Sequence, residues 1–245
     1  MKNNKTSYLL FAIVLILAIN SPLFAQTNNN QADNEIKRFE VSGQVSGLLV
    51  NRQDASDEVF RQFGFPENAV NERFLDIGVG GRFSYNINRN LAVESEVNYF
   101  PSRPTADDLG LAGLPIIGPL SGGKKTQFLV GVKYGVRRSK YGVFGKVRPG
   151  AINFTGYRRL VGLFVIPSPT GGRPDDVIVL TQEAKATFFN IDVGGVFEYY
   201  PSRNTVFRVD VGDTIIRYNA QPPKDINPTF TRHNLQTSVG FGFRF

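Results

Sequence analysis

The chain has 245 residues, with 28 Lys and Arg against 21 Asp and Glu, one histidine and no cysteine. The lack of cysteine excludes a disulfide framework, a cysteine-linked lipid anchor and a zinc site built from His and Cys. The basic residues are spread along the sequence and form no cluster of the kind that contacts nucleic acid. We therefore expect no nucleic-acid partner.

The first 25 residues have the pattern of a cleaved export signal. Lys2 and Lys5 precede an uncharged, mostly apolar stretch over residues 8–19, and Ala25 occupies the expected cleavage point. That stretch is shorter than the roughly 20 residues that a membrane-crossing helix needs. A polar segment over residues 26–36 follows, and residues 37–245 are expected to form one domain.

From residue 37 onward, apolar and polar residues alternate in eight segments, a pattern typical of β-strands with two different faces. The segments cover residues 37–51, 73–87, 91–100, 125–137, 141–154, 185–200, 205–218 and 232–245. Short spacers over residues 88–90, 138–140 and 201–204 alternate with long ones over 52–72, 101–124, 155–184 and 219–231. Short periplasmic turns and long extracellular loops are typical of outer-membrane barrels.

Two hairpins read as copies of one unit. Residues 77–90 (I-G-V-G-G-R-F-S-Y-N-I-N-R-N) and 191–204 (I-D-V-G-G-V-F-E-Y-Y-P-S-R-N) share Ile, Val, Gly, Gly, Phe, Tyr, Arg and Asn without a gap. Each segment begins with alternating apolar and polar residues, continues with aromatic residues and ends in a tight turn that contains Arg-Asn. Residues 130–150 form a looser version of the same hairpin.

Residue parity assigns one face of each segment to lipid, and that face carries no charge. Tyr85, Tyr134, Tyr141 and Tyr199 fall beside the short turns, where an interfacial aromatic girdle is expected. The lipid-facing residues are Val41, Val45, Leu49, Leu75, Ile77, Val79, Phe83, Tyr85, Val93, Val97, Tyr99, Phe128, Val130, Val132, Tyr134, Val136, Val143, Val147, Phe189, Ile191, Val193, Phe197, Tyr199, Phe207, Val209, Val211, Leu235, Thr237, Val239, Phe241, Phe243 and Phe245.

The opposite face carries seven acids and seven bases. Eight strands leave an interior that side chains just fill, so these charges are expected to pair in an interior network; an ion path is the alternative. Arg82 and Glu94 are expected to lie at similar depth on neighbouring strands. The predicted network comprises Glu40, Asp76, Arg82, Glu94, Glu96, Lys133, Arg137, Lys146, Arg148, Asp192, Glu198, Arg208, Asp210 and Arg244.

The export signal, the two hairpins and the terminal V-G-F-G-F-R-F together resemble the small outer-membrane barrels of the OmpA/OmpX type and the generic outer-membrane β-barrel domain family. The resemblance implies an all-β, eight-stranded antiparallel up-and-down transmembrane β-barrel in the bacterial outer membrane, as a monomer. Its partners would be outer-membrane lipid and the barrel-assembly machinery, for which Phe241, Phe243 and Phe245 would form the signal. The family includes adhesion and complement-resistance proteins, structural anchors and a few lipid-modifying enzymes. No peptidoglycan-binding domain is expected after the barrel.

The sequence offers little support for catalysis, and we expect no catalytic, cofactor-binding or metal-binding residues. The single His233 lies five residues from Ser238 with opposite parity, so the Ser/His pair used by lipid-A deacylases of this fold is not expected. Residues 118–125 (G-P-L-S-G-G-K-K) lack the Ser or Thr that follows the lysine of a phosphate-binding loop. The acidic pairs at 107–108 and 175–176 are ordinary solvated loop residues or a surface cation site.

The long loops carry the functional hypothesis. Residues 160–167 and 177–181 flank a Pro/Gly-rich turn and predict a hairpin that continues strands five and six above the membrane, where its edge can pair with a partner strand. Residues 109–120 are unusually apolar for a loop. The sequence favours a non-enzymatic barrel whose loops mediate surface interaction, including contact with a host protein, adhesion or envelope stabilisation. An exported soluble barrel with an apolar ligand inside, a lipid-modifying enzyme and a small pore are the alternatives.

Overall fold

A computed structural model describes residues 36–51, 73–101, 123–166, 176–222, 224 and 229–245. The expected export signal, the polar segment up to residue 35, the apolar loop at 109–120 and the acids at 107, 108 and 175 lie outside these residues. Within them, no helix is long and apolar enough to cross a membrane.

The described residues form eight antiparallel strands in one closed barrel, in which each strand pairs with its neighbour in sequence and the last pairs with the first. The predicted all-β up-and-down barrel is confirmed. The strands are β1 (Phe39–Asn51), β2 (Arg73–Asn86), β3 (Leu91–Phe100), β4 (Lys124–Arg137), β5 (Tyr141–Ile166), β6 (Asp176–Tyr199), β7 (Thr205–Tyr218) and β8 (Phe230–Arg244).

Six strands agree with the predicted bounds within two residues, whereas β5 and β6 are much longer than the segments 141–154 and 185–200. Their pairing continues from Thr155↔Lys185 to Ile166↔Asp176, with register shifts at Thr155/Tyr157 and Leu160/Gly162. The β-prone arms predicted inside the spacer 155–184 therefore belong to the strands themselves. The bulges break the strict alternation of residues, which is why the periodic segments ended too early.

The alternation of apolar and polar residues follows from closure of the sheet, because every strand has one face inside and one outside. On β3 and β7 every second residue is buried, and the residues between them are exposed or half-buried. The buried positions are largely polar or charged, and the exposed ones are Val, Leu, Ile, Phe and Tyr. The barrel is thus apolar outside and polar inside.

The two repeated hairpins occupy equivalent places on opposite walls. Gly81 pairs with Gly43 on β1, and its counterpart Gly195 pairs with Gly145 on β5. The pairs Val79↔Val45 and Val193↔Val147 correspond in the same way. Because β1–β2 and β5–β6 lie four strands apart in a ring of eight, the same backbone arrangement recurs about half a turn around the barrel.

Two of the three short turns are fixed by their own side chains. The Asn88 side-chain oxygen accepts hydrogen bonds from the backbone N–H groups of Asn90 and Leu91, both at 2.8 Å. The Ser202 hydroxyl accepts one from the N–H of Asn204 at 3.2 Å. These are local side-chain-to-backbone bonds of the kind that Asn and Ser provide in turns. The three short turns lie at one end of the barrel, which we call the short-turn end. We call the opposite end the long-loop end.

Candidate functional site: the filled lumen and the protruding hairpin

All fourteen residues of the predicted interior network lie on the inner face of the barrel. Twelve are buried, and Arg137 and Arg244, at the short-turn end, are half-buried. The parity of each strand explains this placement, because the charged residues alternate with outward Val, Phe and Tyr. Which charge meets which is set by the register and by reach across the lumen.

One arginine cluster joins β2, β3, β5, β6 and β7. The guanidinium of Arg82 lies 2.6 Å from a Glu96 carboxylate oxygen and 3.0 Å from one of Asp210. Glu96 also accepts a hydrogen bond from Arg148, which in turn donates to Asp192. A single carboxylate thus bridges two arginines. Such shared pairing compensates the large desolvation cost of buried charge.

A second cluster spans the full width of the lumen. Arg208 on β7 donates to both carboxylate oxygens of Glu94 on β3, four strands away, at 2.5 and 2.9 Å. Lys133 contacts Glu94 at 3.1 Å and also donates to Glu198. The Arg208–Glu94 contact is a bidentate pair, the geometry that fixes orientation as well as charge. It ties opposite walls together.

Arg82 and Glu94, which were expected at similar depth, are offset by two residues along the strands. Arg82 lies opposite Glu96, and Glu94 lies opposite Ser84, from which it accepts a hydrogen bond at 3.1 Å. The first cross-strand pair beyond the turn is Asn86↔Ala92, and this pair sets the register of the whole hairpin.

Lys125 is an inward base that the sequence interpretation omitted. Its ammonium lies 2.8 Å from an Asp76 carboxylate oxygen and 5.6 Å from the centre of the Phe154 ring, and both charged side chains are buried. The inner face therefore carries at least eight bases against the seven predicted acids. The signal was present: Lys125 shares the parity of Gln127 and Lys133, but it stood at the edge of the predicted strand.

A layer of uncharged polar side chains lies above the charge clusters. Gln44 donates to the Asn98 side-chain oxygen at 2.7 Å, and Asn98 donates to Gln127 at 3.0 Å. Thr214 donates to the side-chain oxygen of Gln236 at 2.7 Å. These residues come from five strands. The layer satisfies buried amides that would otherwise each lose a hydrogen bond.

An aromatic cluster fills the inner face at the long-loop end. The Tyr218 ring lies 4.8 Å from Phe188 and 4.7 Å from Phe230, between ring centres, and Phe154 lies 5.5 Å from Phe188. Leu48, Val50, Phe100, Ile152 and Ile216 pack in the same cluster. The two arginine clusters are therefore separated from this mouth of the barrel by apolar side chains, whereas the Lys125–Asp76 pair lies beside Phe154.

The short-turn end is closed by Tyr200, which the sequence interpretation also missed. Its hydroxyl accepts a hydrogen bond from Arg137 at 2.9 Å and donates one to Glu198 at 2.6 Å. The guanidinium of Arg244 lies 4.3 Å above the Tyr200 ring, and that of Arg137 lies 5.3 Å above Phe144. Charged and aromatic side chains thus stack across this mouth.

The outer face is apolar over most of the barrel. Among the described residues, 28 large hydrophobic side chains are exposed, and Tyr134, Tyr141 and Tyr199 form part of a ring near the short turns. Every predicted lipid-facing residue is exposed or half-buried. On β8 the outward residues run from Leu235 to Phe245, about 33 Å of strand, or about 25 Å of height at a tilt near 40°. That height matches the apolar band of an outer-membrane barrel.

The three terminal phenylalanines lie on this outer face. Phe241 and Phe243 make a ring contact at 5.5 Å between centres, and Phe245 stacks on Phe39 at 6.0 Å. The backbone of Phe245 exchanges two hydrogen bonds with Phe39, each of 2.9 Å. The terminal residue thus takes part in closing the barrel; its recognition by assembly machinery stays a prediction.

His233 and Ser238 lie on opposite faces, as their parity predicted. His233 is exposed and contacts Asp213 on the outer face at 2.5 Å, whereas Ser238 is buried and donates to Asp210 at 3.2 Å. The two side chains therefore do not form a Ser/His pair. In the described ranges, no group of three or more His, Cys, Asp or Glu residues is arranged to hold a metal ion.

The β5–β6 hairpin protrudes above the rest of the barrel, as predicted. Pairing of β5 with β4 ends at Thr155, and pairing of β6 with β7 ends at Phe189. Beyond these residues the two strands pair only with each other among the described residues, up to Ile166↔Asp176. From Thr155 to Ile166 the ribbon is about 36 Å long. Each arm therefore has one backbone edge that no described strand covers.

Comparison with known proteins finds similarity only among solved structures. Neisserial surface protein A has 11% identity and a TM-score of 0.45, with 84% of this chain and 97% of that chain covered. The attachment invasion locus protein Ail of Yersinia pestis has 13% identity and a TM-score of 0.42, covering 86% and 100%. OprG of Pseudomonas aeruginosa has 11% identity and a TM-score of 0.40, covering 87% and 98%. No family model and no curated protein matches the chain.

Proposed function

We propose that this chain is a non-enzymatic barrel of the bacterial outer membrane that presents the β5–β6 hairpin above the lipid as an edge for a partner strand. The single observation that carries the proposal is the hairpin itself. Two strands continue about 36 Å past their other neighbours and pair only with each other among the described residues.

The membrane location is supported by the distribution of polarity. A soluble monomer rarely exposes a contiguous apolar patch above a few hundred Å², yet the outward residues of all eight strands are predominantly apolar. A closed barrel leaves no unpaired strand edge in the hydrocarbon region, so its backbone is satisfied in lipid. The short turns would then face the periplasm and the hairpin the outside.

The interior argues against the three alternatives. An apolar ligand would meet Arg82, Arg148 and Arg208, which are buried and ion-paired. A pore would require a water path through the same side chains, which cross between walls. A lipid-modifying enzyme of the Ser/His type would need the two residues on one face, and they lie on opposite faces.

The hairpin suits strand addition because it is a two-stranded ribbon whose two outer backbone edges pair with no other described strand. A partner strand would pair with the N–H and C=O groups of these edges, and side chains on alternate positions would set specificity. Edge strands of this length are an aggregation hazard when left uncovered. A partner that covers the edge removes that hazard, which is the physical reason to expect one.

Replacement of residues 161–180 by Asn-Gly tests the proposal. Leu160 and Thr181 are register partners, and Asn-Gly closes a two-residue hairpin between paired residues. The shortened barrel should still insert in the outer membrane and still migrate faster on SDS gels before boiling than after. Expressing cells should lose adherence to epithelial monolayers relative to cells with the full-length chain.

A second variant distinguishes binding by the strand edges of the hairpin from binding by residues 167–175 between its arms. Replacement of residues 167–175 by Asn-Gly joins the register partners Ile166 and Asp176 and keeps both arms. Adherence that persists in this variant and disappears in the 161–180 replacement supports the edge. Adherence that survives both replacements contradicts the proposal. In that case, increased detergent sensitivity after deletion of the whole chain would favour envelope stabilisation.

A further inference from the structure

The short-turn end gathers basic residues that the sequence scatters. Lys37 and Arg38 precede β1, Arg89 lies in the β2–β3 turn, Arg138 and Lys140 lie in the β4–β5 turn, and Arg203 lies in the β6–β7 turn. Five of the six are exposed and Lys37 is half-buried. Within residues 36–39, 87–90, 138–140 and 201–204, no acidic side chain accompanies them. We call these six residues the basic rim.

The composition of the rim differs from that of the long-loop end. There the outer face carries acids among its bases: Asp213 contacts His233, and Glu183 lies on the same arm as the exposed Lys185. Among the described residues near the short-turn end, the acidic side chains Glu40 and Glu198 are buried inside the barrel. The exposed charged side chains that the structure describes at this end are therefore basic.

Hydrogen bonds hold the basic rim next to the tyrosines that encircle the barrel near the short turns. Arg38 donates a hydrogen bond to the Tyr85 hydroxyl at 3.3 Å, and Tyr85 packs against Phe39 with ring centres 5.3 Å apart. Asn90 donates to the Gly135 carbonyl at 2.7 Å, which links the β2–β3 turn to β4. The three turns are only three to five residues long, and these bonds hold Arg38 and the β2–β3 turn in place, so the bases remain beside the edge of the apolar band.

Interfacial aromatic residues mark the level of lipid headgroups. Exposed bases at that level attract anionic headgroups, and such clusters of Lys and Arg are typical of sites for acidic lipids. We propose that the basic rim binds the phosphate groups of anionic phospholipids in the leaflet that contacts the short turns. This inference rests on the proposed membrane location and adds a ligand class to it.

Spin-labelled lipids test the proposal. The full chain is refolded in phosphatidylcholine vesicles containing a trace of spin-labelled phosphatidylglycerol or spin-labelled phosphatidylcholine, and the motionally restricted fraction of each label is measured. We expect a several-fold preference for phosphatidylglycerol at low ionic strength that declines as salt screens the charges. The rim variant Arg138→Gln, Lys140→Gln, Arg203→Gln should lose most of the preference.

The matched control removes three bases from the outer face of the long-loop end: Lys124→Gln, Lys185→Gln, Arg217→Gln, all exposed in the structure. This control should keep the larger part of the preference. Reversal of the rim, with Glu in place of Gln at its three positions, should exclude phosphatidylglycerol relative to phosphatidylcholine. All variants are compared only after heat-modifiable migration shows a folded barrel.

The outcomes separate the two proposals. A folded chain that restricts neither label is not in the bilayer, which contradicts the membrane location. Restriction of both labels to the same extent, or loss of preference only in the long-loop control, overturns the rim proposal alone. Sodium phosphate that abolishes the preference at an ionic strength where sodium chloride does not would assign the rim to free phosphate and overturn the lipid proposal.

Discussion

Gln127 and Gln236 reach each other across the lumen and exchange two hydrogen bonds, each side-chain N–H donating to the other's oxygen at 3.1 Å. The residues lie on β4 and β8, opposite walls of the ring, and are 109 positions apart in sequence. Asn98 and Thr214 donate to the same two oxygens at 3.0 and 2.7 Å. The bridge closes the barrel at mid-height with uncharged groups.

Replacement of Gln127 or Gln236 alone should cost more than half of the stability that is lost when both are replaced. Gln127→Leu leaves the buried amide of Gln236 short of partners, at an expected cost of about 1–3 kcal/mol. The double change Gln127→Leu, Gln236→Leu should cost less than the sum of the single changes. Urea unfolding of the chain refolded in vesicles measures all three. Gln182→Leu changes an exposed amide, so it is the control and should leave the free energy of unfolding nearly unchanged. Strict additivity of the two single changes would show that Gln127 and Gln236 do not stabilise the barrel through their contact.

The neighbours Lys124 and Lys125 should respond oppositely to the same substitution. Lys125→Met removes the partner of the buried Asp76 carboxylate and should cost about 3–5 kcal/mol. Lys124→Met acts on an exposed outward side chain and should cost within about 0.5 kcal/mol. The double change Asp76→Leu, Lys125→Met should recover much of the loss, because a buried pair replaced by apolar residues is often neutral. Equal effects of the two single changes would show that Lys125 is not buried.

The sequence predicted which residues face inward but not which inward residues meet. Parity is local, so it placed Arg148, Glu96 and Asp192 inside correctly. Whether these side chains meet depends on the register of all the strands between them and on how far each side chain extends across the lumen. The pattern of a single strand predicts neither quantity. Lys125 shows the complementary case, since parity already placed it inward and only the uncertain strand end concealed it.

The sequence predicted that a hairpin extends β5 and β6 above the barrel, but it did not predict the length of these strands. The β-prone arms around the Pro/Gly turn indicated a hairpin, and the structure joins it to the barrel strands without interruption. Gly156 has a φ of +74°, and the register shifts there. A bulge of this kind reverses the parity of the residues that follow it until the next register shift, which lies at Leu160/Gly162. Periodicity alone therefore could not follow the strand through that position.

The adjacent glycines 194 and 195 provide a test of the filled interior. A Cβ on Gly194 would lie 2.2 Å from the Val211 carbonyl oxygen and 2.4 Å from the Gly212 Cα, so Gly194→Ala should cost about 1–3 kcal/mol. A Cβ on Gly195 would meet nothing closer than 4.0 Å, so Gly195→Ala should be neutral or slightly stabilising. Unfolding midpoints in urea compare the pair directly. Equal destabilisation of both variants would contradict the close approach of β6 and β7.

Phe245 allows barrel closure to be separated from recognition by assembly machinery. Phe245→Ala removes the ring contact with Phe39, whereas Phe39→Ala removes that contact and those with Phe83 and Tyr85, so Phe39→Ala should refold in vitro with the larger loss of stability. If the terminal aromatic residues form an assembly signal, only Phe245→Ala should lower the heat-modifiable fraction in isolated outer membranes. Equal assembly of the two variants in cells would leave Phe245 with a packing role alone.

Val79 tests the membrane location itself. It lies near the middle of β2, faces outward with 60% of its surface exposed, and pairs with Val45 and Tyr99. At the bilayer midplane, Val79→Arg should destabilise the refolded chain by about 2–4 kcal/mol. Ile87→Arg makes a similar change at an exposed apolar residue in a short turn, where the cost should fall to about 0–1 kcal/mol because the arginine reaches headgroups and water. Urea unfolding in vesicles gives both values. If water covered the outer face, the two substitutions would be equally mild, and the chain would be recovered from the soluble periplasmic fraction.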